Sequence, residues 1–244
     1  MINKAIVKQN FGRYADEYEQ NARLQRRVAS ELISRSKKLR GKILDIGAGT
    51  GFIGKETDWD LVELDISPEM CARLKSPVNA DMENLPFKDE SFDNIISSLA
   101  FQWAADLDMA LKEANRVLKK GGALNFSTFT TGSLKELETS FSFLDDDRHT
   151  IEFEPTIRLF ARLKKAGFNN LVINSQRITY KFNGIMPLLK TIKNIGASYG
   201  HERKNKTLKG KKYFTQLENI YKSKFETDGA LPLTWEILYI TASK

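Results

Sequence analysis

The sequence predicts an α/β protein: a doubly wound, mostly parallel seven-stranded sheet with a helical cap inserted before the last strand. Three observations predict it. One short apolar run ends in alternating glycines, Lys42-Ile43-Leu44-Asp45-Ile46-Gly47-Ala48-Gly49-Thr50-Gly51. Strand and helix patterns alternate from there through residue 128, as successive βα units require. Two further strand patterns then bracket a long insertion, residues 183–234.

Composition bounds the reading. A chain of 244 residues, 41% hydrophobic and 28% charged, describes a soluble globular protein able to bury one large core. No apolar run approaches the roughly 20 residues that span a bilayer, and Met1 to Lys8 lack the apolar centre of a signal peptide. The single cysteine, Cys71, allows no internal disulfide and reads as a small packing residue, so a reducing, cytoplasmic setting is expected. Charge is uneven. Residues 158–224 hold 16 Lys/Arg against Glu202 and Glu218, a net of +14 in a chain of net +7, which leaves −7 for the remainder. Basic charge gathered in one segment fits an anionic partner or simply a solvated face.

Taken in order, residues 1–40 read as helical, with Gln25, Val28, Ala29, Leu32, Ile33 and Ser36 at helical spacing and Gly41 closing the stretch. Before them, Asn10 to Tyr18 mixes aromatic and charged residues and is expected to fold back over a ligand, although packing explains it equally well. Ile43, Leu44 and Ile46 form a buried strand. The glycines after it let the backbone approach a ligand and adopt positive φ. Two ligands compete for this turn. Gly49-Thr50-Gly51-Phe52-Ile53-Gly54 spells the dinucleotide pattern G-x-G-x-x-G. Counted from the strand, however, the spacing is G-x-G-x-G, and Asp45 would repel a diphosphate while suiting a cationic amino-acid ligand. In these residues the chain resembles the class I S-adenosylmethionine (SAM) methyltransferases, whose first motif is an apolar strand followed by D-x-G-x-G-x-G. The resemblance implies a Rossmann-like fold and SAM contacts from Asp45, Gly47, Ala48, Gly49 and Gly51.

The next helix must be brief, because Leu61 to Asp65 already reads as the second strand. Asp65 at its tip, with Ile66 beside it, is placed to accept both ribose hydroxyls; Glu63 is the second choice. Ser67 and Pro68 start another helix as N-cap and first helical residue. Val78 to Met82 is a third strand running into a loop. There Asp81 can accept from an adenine amino group while Met82 packs on the ring, unless Asp81 is an ordinary turn residue. Phe92 to Ser98 is the fourth strand, and Ser98-Leu99-Ala100-Phe101-Gln102-Trp103 lies at its carboxyl end, where the ligand crevice must be. Asp106 to Leu118 is an amphipathic helix that Gly121-Gly122 is expected to terminate, and Ala123 to Thr128 is the fifth strand. Gly132-Ser133-Leu134 opens a helix, and Pro155 to Ala166 is another, closed by Gly167. Leu171 to Phe182 and Trp235 to Ala242 are the last strands. The division expected is therefore a core of residues 1–182 and 235–244 and a basic helical cap of residues 183–234.

Further stretches narrow the resemblance. Asn10-Phe11-Gly12-Arg13-Tyr14 with Tyr18, Leu24-Gln25, Ala100-Phe101-Gln102-Trp103, Phe126-Ser127-Thr128, Arg148-His149-Thr150, Leu188-Leu189-Lys190 with Gly196-Ala197, and Leu231 to Glu236 are similar to the malonyl-acyl-carrier-protein O-methyltransferases of biotin synthesis. Ala48 departs from the cysteine frequent there, and the first crossover helix is shortened. The resemblance implies SAM as cofactor and, as substrate, a malonyl thioester on an acidic acyl carrier protein. The free carboxylate would take the methyl in an in-line displacement, giving a methyl ester that enters pimeloyl synthesis. With a pKa of about 4 that carboxylate is already ionised at neutral pH, so no general base is needed. Arg148, whose fork matches a carboxylate, is the first candidate to hold it and His149 the second; salt bridges to Asp145-Asp146-Asp147 and a structural histidine are the plainer readings. Tyr18, Gln102 and Trp103 would line the pocket around the methyl group, and Ser98 the SAM side. No His/Cys/Asp spacing announces a metal site, and no nucleophile–base motif appears. A monomer is expected, with no membrane contact. The alternatives are a SAM-dependent enzyme acting on another small acid or on nucleic acid, and a non-enzymatic nucleotide-binding protein; little aromatic residue accompanies the lysines that would face phosphates.

Overall fold

The computed structural model describes residues 3, 4, 8, 22–147, 149–194 and 209–244. Tyr18 with its aromatic run, Arg148 and residues 195–208 of the expected cap lie outside the described residues. In chain order the elements are α1 (Arg23–Arg35), β1 (Lys42–Ile46), α2 (Phe52–Glu56), β2 (Asp60–Asp65), α3 (Pro68–Cys71), β3 (Pro77–Asn79), β4 (Phe92–Ser98), a 3-10 turn (Phe101–Trp103), α4 (Leu107–Val117), β5 (Leu118–Phe129), α5 (Lys135–Phe141), α6 (Thr156–Lys165), β6 (Asn169–Phe182), α7 (Ile185–Asn194), α8 (Lys211–Phe225) and β7 (Leu231–Ser243).

The seven strands form one sheet in the order β3-β2-β1-β4-β5-β7-β6. β3 to β5 pair in parallel, and β7 runs antiparallel to both β5 and β6. Winding reverses between β1 and β4, so the crevice outside their carboxyl ends is where a ligand fits such a sheet. Because successive strand residues point to opposite faces, each strand feeds two cores. Ile43 joins Val28, Leu32, Ile96, Phe129 and Trp235 on one face, whereas Leu44 and Ile46 join Ile95, Leu124, Phe126 and Ile240 on the other. The first core is covered by α1, α5, α7 and α8, the second by α4 and α6.

Local chemistry explains most boundaries. The Ser67 side chain accepts from the Met70 amide with Pro68 in the first turn, and the Asp106 side chain accepts from the Met109 amide. Two expectations need correction. The Gly121-Gly122 pair does not end α4: Leu118 is already extended and pairs with Phe92, and the glycines sit within β5. There Gly121 donates to the Lys244 carbonyl and Lys244 to the Gly122 carbonyl, and a Cβ on Gly122 would stand 2.5 Å from the Asp93 carbonyl. The pair is thus needed where three strand ends converge. The third strand is also shorter than expected, and Asp81 and Met82 fall in the turn that Asp81 makes with Asn84.

Among the described residues of the 183–234 interval, helices α7 and α8 precede β7, which begins at Leu231. Ile185, Leu188, Ile192, Leu217 and Tyr221 are buried in the same core as Val28 and Trp235, and the Tyr221 hydroxyl donates to the Pro232 carbonyl at 2.5 Å. This segment shares its hydrophobic core with the sheet. Among the described residues no helix is long and apolar enough to cross a membrane.

Candidate active site

The turn after β1 is held against β2, where the Gly47 and Ala48 amides both donate to the Leu64 carbonyl at 2.8 and 2.9 Å. Gly47 has φ 73°, and a Cβ there would lie 2.3 Å from the Ala100 Cβ, so this position requires glycine twice over. Gly49 differs. Its φ is 56°, yet a Cβ would meet nothing within 4 Å, because this stretch of backbone faces open space. Gly51 opens α2 over Glu63 and borders neither cleft described below.

Two adjoining clefts flank the turn and share Gln25, Gly47, Gly49 and Ser98. The larger spans about 850 Å³ counted out to open solvent, against about 540 Å³ for the smaller. Asp45 lines the smaller, together with Ala48 and Arg26. Its carboxylate is buried, 1% exposed, and among the described residues neither oxygen has a hydrogen-bond partner. Burial, helped by the nearby charges of Glu63 and Asp65, pushes its pKa well above the ordinary carboxylate range. A buried acid without a partner costs about 1–3 kcal/mol, a cost that a cation entering the cleft would offset.

Asp65 stands at the tip of β2 with one oxygen accepting from the Gly49 amide and the other from the Ser67 amide, each at 2.9 Å. Burial raises its pKa while these backbone donors oppose the rise. The carboxylate therefore ties the glycine turn to the start of α3 and keeps lone pairs for a ligand. Ile66, Leu64, Met70, Ala80, Met82 and Ala104 give the larger cleft an apolar wall. At its far end Asp81 accepts from the Glu83 amide at 3.0 Å and from Lys4 Nζ at 2.6 Å, and Lys4 also reaches Glu83 at 2.5 Å.

At the carboxyl end of β4, Leu99 has φ 51°, an uncommon conformation for a branched residue, held by its amide donating to the Ser127 carbonyl and hydroxyl. That turn aims Ser98, Gln102 and Trp103 at the larger cleft, opposite Phe129. Gln102 is locked: its amide nitrogen donates to the Leu99 carbonyl at 2.6 Å, and its oxygen accepts from the Thr128 hydroxyl at 3.2 Å.

His149 is placed otherwise. Its Nε2 lies 2.6 Å from Asp145, its ring stacks on Phe141 at 3.8 Å, and it lines neither cleft. The second Asp145 oxygen accepts from Lys209 and from the Tyr213 hydroxyl, both at 2.7 Å. Burial would raise the Asp145 pKa, but the three donors overrule it and hold the carboxyl far below its ordinary value. The fold thus gathers Asp145, Asp147 and His149 into a constellation with metal-ligand reach, which sequence spacing did not announce. Lys209 already supplies its cation.

Comparison with known proteins decides the family. A methyltransferase-domain model matches residues 44–126, the span from β1 to β5. The malonyl-[acyl-carrier protein] O-methyltransferase of Herminiimonas arsenicoxydans is 34% identical over 253 residues, covering 100% of this chain and 97% of its own length. The enzyme of that name from Erwinia billingiae is 35% identical, over 89% of each chain. This chain belongs to the malonyl-[acyl-carrier protein] O-methyltransferase family. Among solved structures, a SAM-dependent methyltransferase from Thermotoga maritima has the same fold, with TM-score 0.59 and 22% identity over 97% of this chain and 99% of that one. A phosphoethanolamine N-methyltransferase from Haemonchus contortus gives TM-score 0.56 over 88% of this chain and 52% of its own.

Set against a family of SAM-dependent methyltransferases, the donor set suits that ligand. Asp45 offers an unpartnered acid, Gly49 an open backbone, Asp65 a hydroxyl acceptor and Met82 an apolar wall. Of the residues expected at the site, Asp45, Gly47, Ala48, Gly49, Asp65, Ile66, Asp81, Met82, Ser98, Gln102 and Trp103 border the two clefts. Gly51 and His149 do not, and Tyr18 and Arg148 lie outside the described residues. Lys4, Gln25 and Phe129 border the larger cleft without having been singled out. Gln25 belongs to one of the family-like stretches, and its buried Oε1, like the Asp45 carboxylate, lacks a partner among the described residues.

Proposed function

We propose that this protein transfers the methyl group of SAM to the free carboxylate of a malonyl thioester carried on acyl carrier protein. One observation carries the reading: a buried acid without a partner, Asp45, lies beside an open glycine turn in a chain that aligns end to end with malonyl-[acyl-carrier protein] O-methyltransferases. When bound, SAM supplies an electrophilic methyl group on a sulfonium.

The chain's own residues bind, orient and exclude water. In this reading Asp45 neutralises the ammonium of the ligand's amino-acid end, with Arg26 of the same cleft complementing its carboxylate. Asp65 takes the ribose hydroxyls, and Asp81 with Met82 takes the adenine. Gln102, fixed at both ends of its amide, holds the β4 turn rigid so that Trp103 and Phe129 form a dry wall where the reactants meet. An ionised carboxylate needs no base, so rate enhancement comes from alignment, worth about 7–11 kcal/mol for well-oriented reactants. Arg148 holds the substrate carboxylate, and His149 anchors the neighbouring loop through Asp145. Residues 183–234 act as the cap over the reacting atoms, tied to that loop by Lys209 and Tyr213.

The test is mass spectrometry of malonyl-acyl carrier protein incubated with SAM and the protein. A mass gain of one methyl ester is expected, and an unchanged carrier beside an active positive control would refute the reading.

A further inference from the structure

We propose that the outward face of α6 is the docking surface for the acidic carrier protein, an inference that rests on the functional reading above. In α6, Leu159 and Leu163 are buried in the core, whereas Ile157, Phe160, Ala161 and Lys164 lie outward at the i, i+3, i+4, i+7 spacing of one helix side. Ile157 is 76% exposed and Phe160 41%. Ile157 and Phe160, one helical turn apart, place two large apolar side chains side by side in solvent, where a partner would cover them. By contrast Phe143, also exposed, already has Lys224 Nζ 3.9 Å from its ring centre.

Charge selects the occupant. Helix α6 contains Arg158, Arg162, Lys164 and Lys165 and no acid. Arg162 is held by Glu154 and Asp108, and Lys165 by Asp108. Arg158 and Lys164 have no ion-pair partner among the described residues and flank the apolar pair. A basic rim around exposed Ile and Phe complements an acidic helical protein with an apolar seam, and complementary charge raises encounter rates and fixes register. A nucleic acid would use the charge and leave both apolar side chains wet.

Position connects the surface to the site. The hydroxyl of Thr156, first residue of α6, lies 3.4 Å from that of Thr130, which directly follows the cleft residue Phe129. A carrier seated on α6 can therefore pass its flexible thioester arm over the end of β5 into the larger cleft.

The experiment measures binding of fluorescently labelled holo-acyl carrier protein to the full chain by anisotropy, for the wild type, Phe160→Glu and the double variant Arg158→Glu/Lys164→Glu. SAM affinity and melting temperature serve as controls. Both variants should bind the carrier about tenfold or more weakly with SAM affinity unchanged, because hot-spot and rim charges carry the association. Variants within twofold of wild type, a wild type that does not bind the carrier, or equal loss of RNA binding would overturn the proposal. Should either variant melt early, Ile157→Ser, a milder change on the same face, is measured under the same criterion. A wild type that binds the carrier yet forms no methyl ester would sink the functional reading and leave the surface. One that methylates malonyl-carrier with variants indistinguishable from it would do the reverse.

Discussion

The two polar ends of this molecule are built on opposite rules. Around the glycine turn the described residues leave groups unanswered: both Asp45 oxygens and Gln25 Oε1 are buried without partners among them, and a Cβ on Gly49 would meet none of them. Around Asp145 and His149 they answer nearly everything. Asp145 alone takes His149, Lys209 and Tyr213, and Phe141 stacks on the imidazole. Since an unsatisfied buried group costs free energy, a ligand that completed the first arrangement would offset that cost, whereas the second is complete already. A titratable side chain near a site is thus better judged by what it lacks than by its type. By that criterion Asp45 is the residue we propose for binding, while His149 fastens a loop to the start of α8 through Asp145 and Tyr213.

The sharpest way to break this contrast is Gly47→Ala. A Cβ at φ 73° and 2.3 Å from Ala100 strains the turn, with about 1–3 kcal/mol of stability expected to be lost, along with most SAM affinity. Melting and calorimetry report both, and a variant that binds normally would show that the turn is not the seat. Next in size is Asp145→Asn at the other end. Its pairs are partly exposed, so about 1 kcal/mol of stability should be lost while SAM affinity stays unchanged. Sign follows from the depressed native pKa. Asp145 contributes stability above its unfolded value of about 4 and loses it as pH falls toward the native one, so variant and wild type should converge in acid. The smallest effect is expected for Lys4→Met, which releases Asp81 and Glu83 at the far rim of the cleft and should weaken SAM binding by about twofold. A tenfold loss there would make Lys4 part of the seat.

Much of this was legible in the sequence because it is local. The buried strand of Ile43, Leu44 and Ile46, the Ser67 cap and the amphipathic helix that follows Asp106 need only neighbouring residues, and each stands where its chemistry put it. What escaped depends on distant partners. Gly121-Gly122 reads as a helix stop until Lys244 arrives from the far terminus to bond it. The 145–149 cluster needs Lys209 and Tyr213, more than 60 residues away. Lys4, Gln25 and Phe129 reach the larger cleft from a terminal segment, a helix and a strand end, and no spacing pattern could have joined them.

The central claim is that Asp45 waits, uncompensated, for the ammonium of SAM. Calorimetric titration of SAM in buffers of different ionisation enthalpy tests it, since a cation that ionises a carboxyl of raised pKa must release its proton. Below that pKa wild type should bind with proton release, and its affinity should rise as pH passes through it, whereas Asp45→Asn should bind at least about tenfold more weakly and release none. Equal affinity and equal proton release in the two proteins would contradict it.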